Sequence, residues 1–414
     1  MHLLIAIALL LQDSDKPAES PWSFSHRDGV RYTSPPWRLH AGGVLAVDLY
    51  KYDERNVRDS GPALGRAVVR LEAWRGEEWS ARIAPDLHGI DTEYGFEEAW
   101  VSWVPSFVPS RLLRVTAGLQ RIALAIETSI PEEDLPFVGY SVLDPMAART
   151  DLALRFDGEW RDGIVSYQVD LAAGVAYDPQ GRKREGPQYS ARVMAYPFRW
   201  LDWRVLPGLF INLAAFWNPD FEGEYDVTTP LRNTAFTVKT LHADRFEGFH
   251  LGIGMEWGPF RLIHENLRAG FVDLEGGGDR NFRNELHGWT ASLTVLFTGE
   301  SYDSRPYRLR DGRGAGFPKC PLDGDGESQG IGAIEAGVRY SNGDIARELF
   351  EAGFTDDRTS SQEFRSFSAV VSWYPTSWLR ASLEFVRMLL DDDPAEFGGQ
   401  GRDNSWVFRI QYDF

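Results

Sequence analysis

Apolar and polar residues take turns along most of this chain. In GRAVVRLEAW, Ala67, Val69, Leu71 and Ala73 alternate with Arg70 and Glu72. In TDLALRFDG, Leu152, Leu154 and Phe156 alternate with Ala153, Arg155 and Asp157. GFHLGIGMEWG sets Phe249, Leu251, Ile253, Met255 and Trp257 against His250, Gly252, Gly254 and Glu256, and GWTASLTVLFT repeats the arrangement. A period of two is the strand signal, and no equally long segment keeps a period of 3.6. The chain reads as all-β.

The apolar face of these strands is bulky and the other face small and hydrophilic, which a soluble sandwich would also show. Three features favour a transmembrane antiparallel barrel. The predicted strands run about 9–12 residues, longer than the usual soluble strand of about 5–6 and suited to a tilted bilayer crossing. Aromatics gather at strand ends (Trp74 and Trp79, Trp257 and Phe260, Trp373 and Trp378), as interfacial girdles require. Connections alternate between short and long.

The map places strands near 41–51, 66–74, 78–85, 97–104, 112–126, 149–157, 163–175 and 189–199. It continues with 208–217, 247–257, 260–269, 287–298, 332–342, 365–374, 378–389 and 404–414. The total of about sixteen is even, as single-chain bacterial barrels require. Segments 127–148, 218–246, 270–286, 343–364 and 390–403 are expected as long loops, and Arg75-Gly76-Glu77, Gly258-Pro259 and Pro375-Thr376-Ser377 as tight turns. Segment 299–331 is long where the parity asks for a turn. The last stretch, NSWVFRIQYDF, alternates Trp406, Phe408, Ile410 and Tyr412 with Val407, Arg409 and Gln411. A closed barrel needs such a final strand to pair with the first, because no edge is tolerated in lipid.

Composition agrees with this reading and narrows it. With 414 residues and 43% hydrophobic content the chain can bury a core, and 15 Trp are many for a soluble domain. The net charge of -18 argues against a nucleic-acid partner. One cysteine, Cys320, excludes an internal disulfide framework. The apolar run Leu3 to Leu11 is too short to span and suits a signal peptide, so 1–17 is expected as signal, 18–36 as linker and 37–414 as barrel.

Several stretches resemble the phosphate-selective porin O and P family of outer-membrane channels. GWTASLTVLFTGES (Gly288 to Ser301) is similar to its strand ending in a Phe-Leu-Thr-Gly-Glu motif. GAIEAGVRYS (Gly332 to Ser341) resembles its Trp-Glu-Leu-Ala-x-Arg-Tyr-Ser strand, keeping Glu335 and Arg339 without the Trp. WGPFRLIHENLR (Trp257 to Arg268) resembles its Gly-Pro hairpin with an inward Glu, here Glu265, and VVSWYPTSWLRASLEFV its Trp-Tyr hairpin. The likeness is best from about residue 240 onward. GLQRIAL stands where the family has Gly-x-x-Lys-x-Pro-Phe, with Arg121 in the place of the Lys and no Pro or Phe. The resemblance implies a homotrimeric channel in the bacterial outer membrane, with inward-folded loops, passing small anions such as phosphate. The terminal Phe resembles the signal read by the barrel assembly machinery.

A phosphate path needs lumen cations, and arginine suits it best. With the bulky face toward lipid, the inward arginines are Arg70, Arg114, Arg155, Arg192, Arg261, Arg339, Arg380 and Arg409, joined by Arg121 from the family motif. The same parity turns Glu72, Asp157, Asp170, Glu256, Glu265, Glu335 and Glu384 inward. Two readings stay open: Arg–carboxylate pairs that brace the wall, or an anion pathway. The segment Thr128 to Thr150 is expected as the constriction loop, with Glu132, Glu133, Asp134 and Asp144 against Arg149. DGDGES (323–328) lacks the full calcium pattern, and His242, His250, His264 and His287 lack metal spacing. No metal, cofactor or catalytic constellation is expected, so the chain reads as a passive porin rather than an enzyme. The alternatives are a secreted soluble β-sandwich or propeller binding carbohydrate, and an outer-membrane barrel enzyme.

Overall fold

A computed structural model describes residues 20–25, 29–53, 56, 58–87, 95–109, 112–144, 148–161, 163–177, 183–203, 205–231, 233–274, 283–302, 322, 330–356, 358–392, 394, 397, 399 and 401–414. The signal segment 1–17, Cys320, the DGDGES loop and most of 299–331 lie outside them.

The first strands are β1 (Trp22–Ser25), β2 (Gly29–Ser34), β3 (Trp37–Lys51), β4 (Gly61–Arg75), β5 (Trp79–Pro85), β6 (Phe96–Trp103) and β7 (Arg114–Ala123). They are followed by β8 (Ala148–Trp160), β9 (Val165–Ala172), the short β10 (Val175–Tyr177) and β11 (Lys183–Glu185), and β12 (Gln188–Ala195). The second half holds β13 (Leu209–Thr228), β14 (Thr234–Trp257), β15 (Phe260–Leu274), β16 (Arg283–Leu296), β17 (Ala333–Ile345), β18 (Glu363–Tyr374), β19 (Leu379–Leu390) and β20 (Arg402–Asp413). Sixteen of them, β3–β9 and β12–β20, form one closed antiparallel barrel. All sixteen mapped strands are present. Closure excludes the sandwich and the propeller.

The barrel closes where the alternating terminus asks it to. β20 pairs with β3 from Trp406↔Lys51 to Asp413↔Val44. The Phe414 N–H donates to the Gly43 carbonyl at 3.0 Å, and the Gly43 N–H returns the bond at 2.6 Å. Below that point β3 outruns β20, and β2 takes over its edge from Val30↔Ala41 to Ser34↔Trp37. Trp22–Ser25 and Gly29–Ser34, read from sequence as linker, are therefore a hairpin that satisfies backbone groups at the seam.

The outer face carries Leu45, Val47, Leu49, Leu152, Leu251, Ile253, Leu262, Val371, Leu383, Phe408 and Ile410, all exposed. An apolar belt of that extent needs lipid rather than water. Trp79, Trp160, Trp200, Trp203, Trp257, Phe260 and Trp373 ring the rim where connections are tight. That turn rim is opposite the loop rim. One expected loop is different: 218–246 is strand almost throughout, because β13 and β14 stay paired far past their neighbours, to Thr228↔Thr234.

The interior is unevenly filled. Phe216, Phe246, Leu267, Phe271, Phe364, Met388 and Val407 belong to β13–β20, and Phe221, Tyr225 and Phe236 to the β13–β14 extension. They share one buried cluster with Leu124, Ala125, Val138, Val142 and Leu143, which lie between β7 and β8. Segment 124–144 takes in most of the constriction loop expected at Thr128 to Thr150; it is folded into the barrel and buried over most of its length, while Ala148–Thr150 already belong to β8.

Candidate functional site

Lumen side chains hold the inward loop by its backbone. Arg380 donates to the Leu135 carbonyl at 2.6 Å, Arg409 to that of Val138 at 2.9 Å, Arg339 to that of Gly139 at 2.9 Å and Gln411 to that of Glu133 at 3.1 Å. Carboxylates take the N–H groups: Glu384 accepts from Val138 at 2.6 Å, and Glu265 accepts from Ile126 and, at 3.1 Å, from Glu127. Over 124–143 the loop contains only single helical turns, Glu127–Ser129 and Glu132–Asp134, so its backbone needs these outside partners. Glycine admits it to the wall. A Cβ on Gly252 would stand 2.6 Å from Ile126 Cδ1, and one on Gly337 3.2 Å from the Phe137 ring.

The loop carboxylates face the wall arginines, not solvent. Glu132 lies 3.2 Å from Arg66 and 3.6 Å from Arg409, Glu133 bridges Arg66 and Arg70, Asp144 meets Arg121, and Glu127 meets Arg339. Burial pushes Glu133 up, but the guanidiniums of Arg70 and Arg66 outweigh it and hold the carboxyl at about 2. Burial pushes Glu127 above the ordinary carboxylate range, with Arg339 offsetting part of the shift.

The predicted residues fall into two groups. Arg192, Arg261, Arg339, Arg380, Glu265, Glu335 and Glu384 are fully buried. Arg192 donates to Asn212 Oδ1 at 2.6 Å, and Arg261 to Glu256 at 2.9 Å while lying over the Tyr302 ring. Glu335 does not pair with an arginine as expected: it accepts from the hydroxyls of Tyr302 and, at 2.7 Å, of Tyr374. These groups brace the wall and the loop.

The second group, which the unpredicted Arg82 joins, keeps access to solvent. Arg70, Arg82, Arg114 and Arg121 have side-chain exposures of 21, 32, 22 and 24%, against at most 2% for Arg261, Arg339 and Arg409. They stand on β4, β5 and β7. Arg82 donates to Glu72 and, at 2.9 Å, to Glu98, and lies over the Trp100 ring. Arg114 forks onto Asp157 at 2.9–3.1 Å, and Arg155 donates to Asp170 at 2.6 Å. Arg121 donates to the Thr128 carbonyl at 3.0 Å and covers Tyr140. A polar cavity of about 20 Å³, room for roughly one water, lies among Arg114, Arg155, Asp157, Glu159 and Tyr167. Together these side chains outline a polar lane between the β4–β9 wall and the loop.

Sequence reasoning missed Asp48, Arg66, Arg82, Glu97, Asn212 and His250. Asp48 and Arg82 were recoverable, because both sit at inward parity in strands the map contained. Arg66 was recoverable too, since it shares the parity of Arg70 and Glu72 and the register shift between Ala46 and Val47 falls just before it, at Gly65. His250 is no isolated histidine: it lies between Asn212 and Glu265, 3.0 Å from each. Among the described residues no group of side chains could hold a metal ion.

No family model matches the sequence, and no curated protein does. Solved structures do match. The outer membrane channel DcaP of Acinetobacter baumannii aligns at TM-score 0.53 and 10% identity, over 92% of this chain and 99% of that one. OmpT, an outer membrane protein of Vibrio cholerae, aligns at 0.53 and 10%, over 93% and 100%. A loop L8 deletion mutant of the same protein aligns at 0.52 and 12%, over 92% and 100%. At such identities the likeness is one of fold, and the fold is the porin-like barrel of outer-membrane proteins.

Proposed function

We propose that this protein is an outer-membrane diffusion channel, passing small hydrophilic solutes along the lane between the β4–β9 wall and the inward loop. The observation that carries this reading is the contrast in exposure between two sets of lumen arginines. Those of β4, β5 and β7 retain space beside them, whereas those of β15, β17 and β20 retain none. On the other side of the lumen the charged wall groups are buried against the loop and the apolar cluster, which leaves a hydrated ion no approach.

The resemblance to the porin O and P family implies anions, and the lane's charges favour cations instead. Arg66, Arg70, Arg82, Arg114, Arg121 and Arg155 each rest on at least one carboxylate. Counting Glu72, Glu97, Glu98, Glu132, Glu133, Asp144, Asp157 and Asp170, the carboxylates outnumber the guanidiniums. A phosphate meets a net negative field, with the donors already engaged, and cations are drawn in.

Purified protein in planar bilayers under a KCl gradient tests both parts. The expected result is stable single-channel conductance, with a reversal potential of the sign for potassium permeation. A preparation that heat-modifiable gel migration shows to be folded, yet that conducts nothing, sinks the channel. Conductance with anion preference, and chloride current blocked by added phosphate, sinks the cation reading and supports the family's specificity.

A further inference from the structure

The outer face of β18–β20 changes character at its loop-rim end. Pairing across the sheet sets its outward side chains in three rows. Nearest the rim stand Arg365, Leu389 and Arg402, next Phe367, Arg387 and Asn404, then Ala369, Phe385 and Trp406, with Lys51 of β3 opposite Trp406. Arg365, Arg387, Arg402 and Lys51 are all exposed, and no carboxylate occupies any of these positions. In a chain of net charge -18 that is a local reversal of sign. Arg387 is the diagonal neighbour of both Arg365 and Arg402, a separation of about 7–8 Å. Side chains as long as arginine's converge over that span on one small group. Toward the middle of the wall they rest on an apolar shelf: the Phe385 and Trp406 rings are 4.8 Å apart, and Phe367 and Trp406 are 40 and 45% exposed. The nearest carboxylates lie on the rim side, where Arg365 donates to Glu363 at 2.8 Å and the Asp391 N–H donates to the Glu363 carbonyl at 3.1 Å. Among the described residues, Lys51, Arg387 and Arg402 make no ion pair or side-chain hydrogen bond.

We propose that this patch seats a phosphate-bearing lipid headgroup of the outer leaflet. Long loops mark the extracellular rim of a bacterial barrel, so the patch stands at the level of the outer headgroups. Unpaired cations side by side repel one another, and at a lipid boundary water screens them less than in solution. A phosphate offsets both costs. Its oxygens take the guanidinium forks of Arg387 and Arg402 through charge-assisted hydrogen bonds, and Lys51 adds a point charge. Acyl chains of the same molecule lie along the aromatic shelf and the exposed Leu383, Phe408 and Ile410 beyond it. That second contact selects a lipid over a free anion. The site lies on the outer wall and takes nothing from the lumen, so it holds whether or not the protein conducts.

Native mass spectrometry of the refolded full chain in mild detergent, titrated with bisphosphorylated lipid A, tests the site. The wild type should retain this lipid about tenfold better than its dephosphorylated form. Inorganic phosphate, compared with chloride at the same ionic strength, should not displace it. Arg387→Gln with Arg402→Gln should lower retention about tenfold, whereas Arg387→Lys with Arg402→Lys should keep most of it. Both double variants should keep the heat-modifiable gel shift of the folded barrel, because the side chains lie outside it. Equal retention of phosphorylated and dephosphorylated lipid by the wild type overturns the site without recourse to any variant. A folded double Gln variant that binds as the wild type does overturns it too. Displacement by inorganic phosphate would make the patch a plain anion site and remove the lipid.

Discussion

At the scale of single residues, strand parity identified which arginines point inward but not what they meet. Arg70 reads naturally with Glu72 two positions away, yet the structure gives it Glu133 from the loop, while Glu72 goes to Arg82 and His40. Arg339 and Glu335 stand in one strand and share no bond, since loop residue Glu127 takes the arginine and two tyrosines take the glutamate. These partners are remote in the chain, and no local pattern encodes them. The seam shows the energetic consequence. Arg409 forks onto Asp48 at 2.7 and 2.8 Å, both are buried, and the two lie directly opposite in the closing pair of strands. Removing one partner of a buried pair strands the other charge, whereas replacing both by apolar groups is close to neutral. Arg409→Leu should cost about 3–5 kcal/mol, read as a lower denaturant midpoint for loss of the compact gel band. Asp48→Leu combined with Arg409→Leu should regain most of it. A double variant as unstable as the single one would show that the pair itself, not the orphaned carboxylate, sets the stability.

At the scale of elements, all sixteen barrel strands were legible and several connections were not. Strand signals are local and repeat every two residues, so alternation alone located them. The β13–β14 extension looked like loop because strands outside the lipid zone need no bulky outward face, and Asn218-Pro219-Asp220 breaks the alternation. The small face of GFHLGIGMEWG misled in another way. It suggested a hydrophilic lumen surface, yet Gly252 is small because the loop lies against it. Gly252→Phe therefore pushes Ile126 off the wall toward the lane, since a packed interior accepts added volume only by displacement. Single-channel conductance should fall by about half or more while the barrel remains folded. Gly252→Ala meets the far end of the Ile126 side chain first and the His250 ring at 3.1 Å, a far smaller intrusion than phenylalanine, and should conduct nearly as the wild type does. Unchanged conductance in Gly252→Phe would mean that the loop does not border the passage.

At the scale of the whole molecule, the outer wall is as uneven as the lumen. Toward the loop rim, β12–β20 carry exposed Tyr189, Trp217, Phe249, Tyr340, Phe367 and Trp406, the aromatic girdle expected at a lipid headgroup boundary. Apart from Phe96, the same level on β3–β9 is aliphatic, with Leu45, Val47, Leu49, Ile83, Leu152, Leu154, Val169 and Leu171. A loop rim without aromatic anchors suits contact with protein better than with headgroups, so a homotrimer of the kind the sequence resemblance implies would assemble through this side. A groove of about 770 Å³ at its turn rim, between Arg75–Trp79 and Val104–Pro109, adds the concavity that such packing uses. The polar lane lies just inside this wall, so a barrel stiffened by its neighbours would also hold the lane's arginines in register. Tryptophan is tolerated facing lipid but is too large for a close aliphatic interface, which makes it a discriminating probe. Leu49→Trp with Ile83→Trp should convert oligomers to monomers by mass photometry in mild detergent, and Leu251→Trp on the opposite wall should leave them intact. A monomeric wild type, or equal dissociation by all three substitutions, would remove β3–β9 as the contact face and return the whole circumference to lipid.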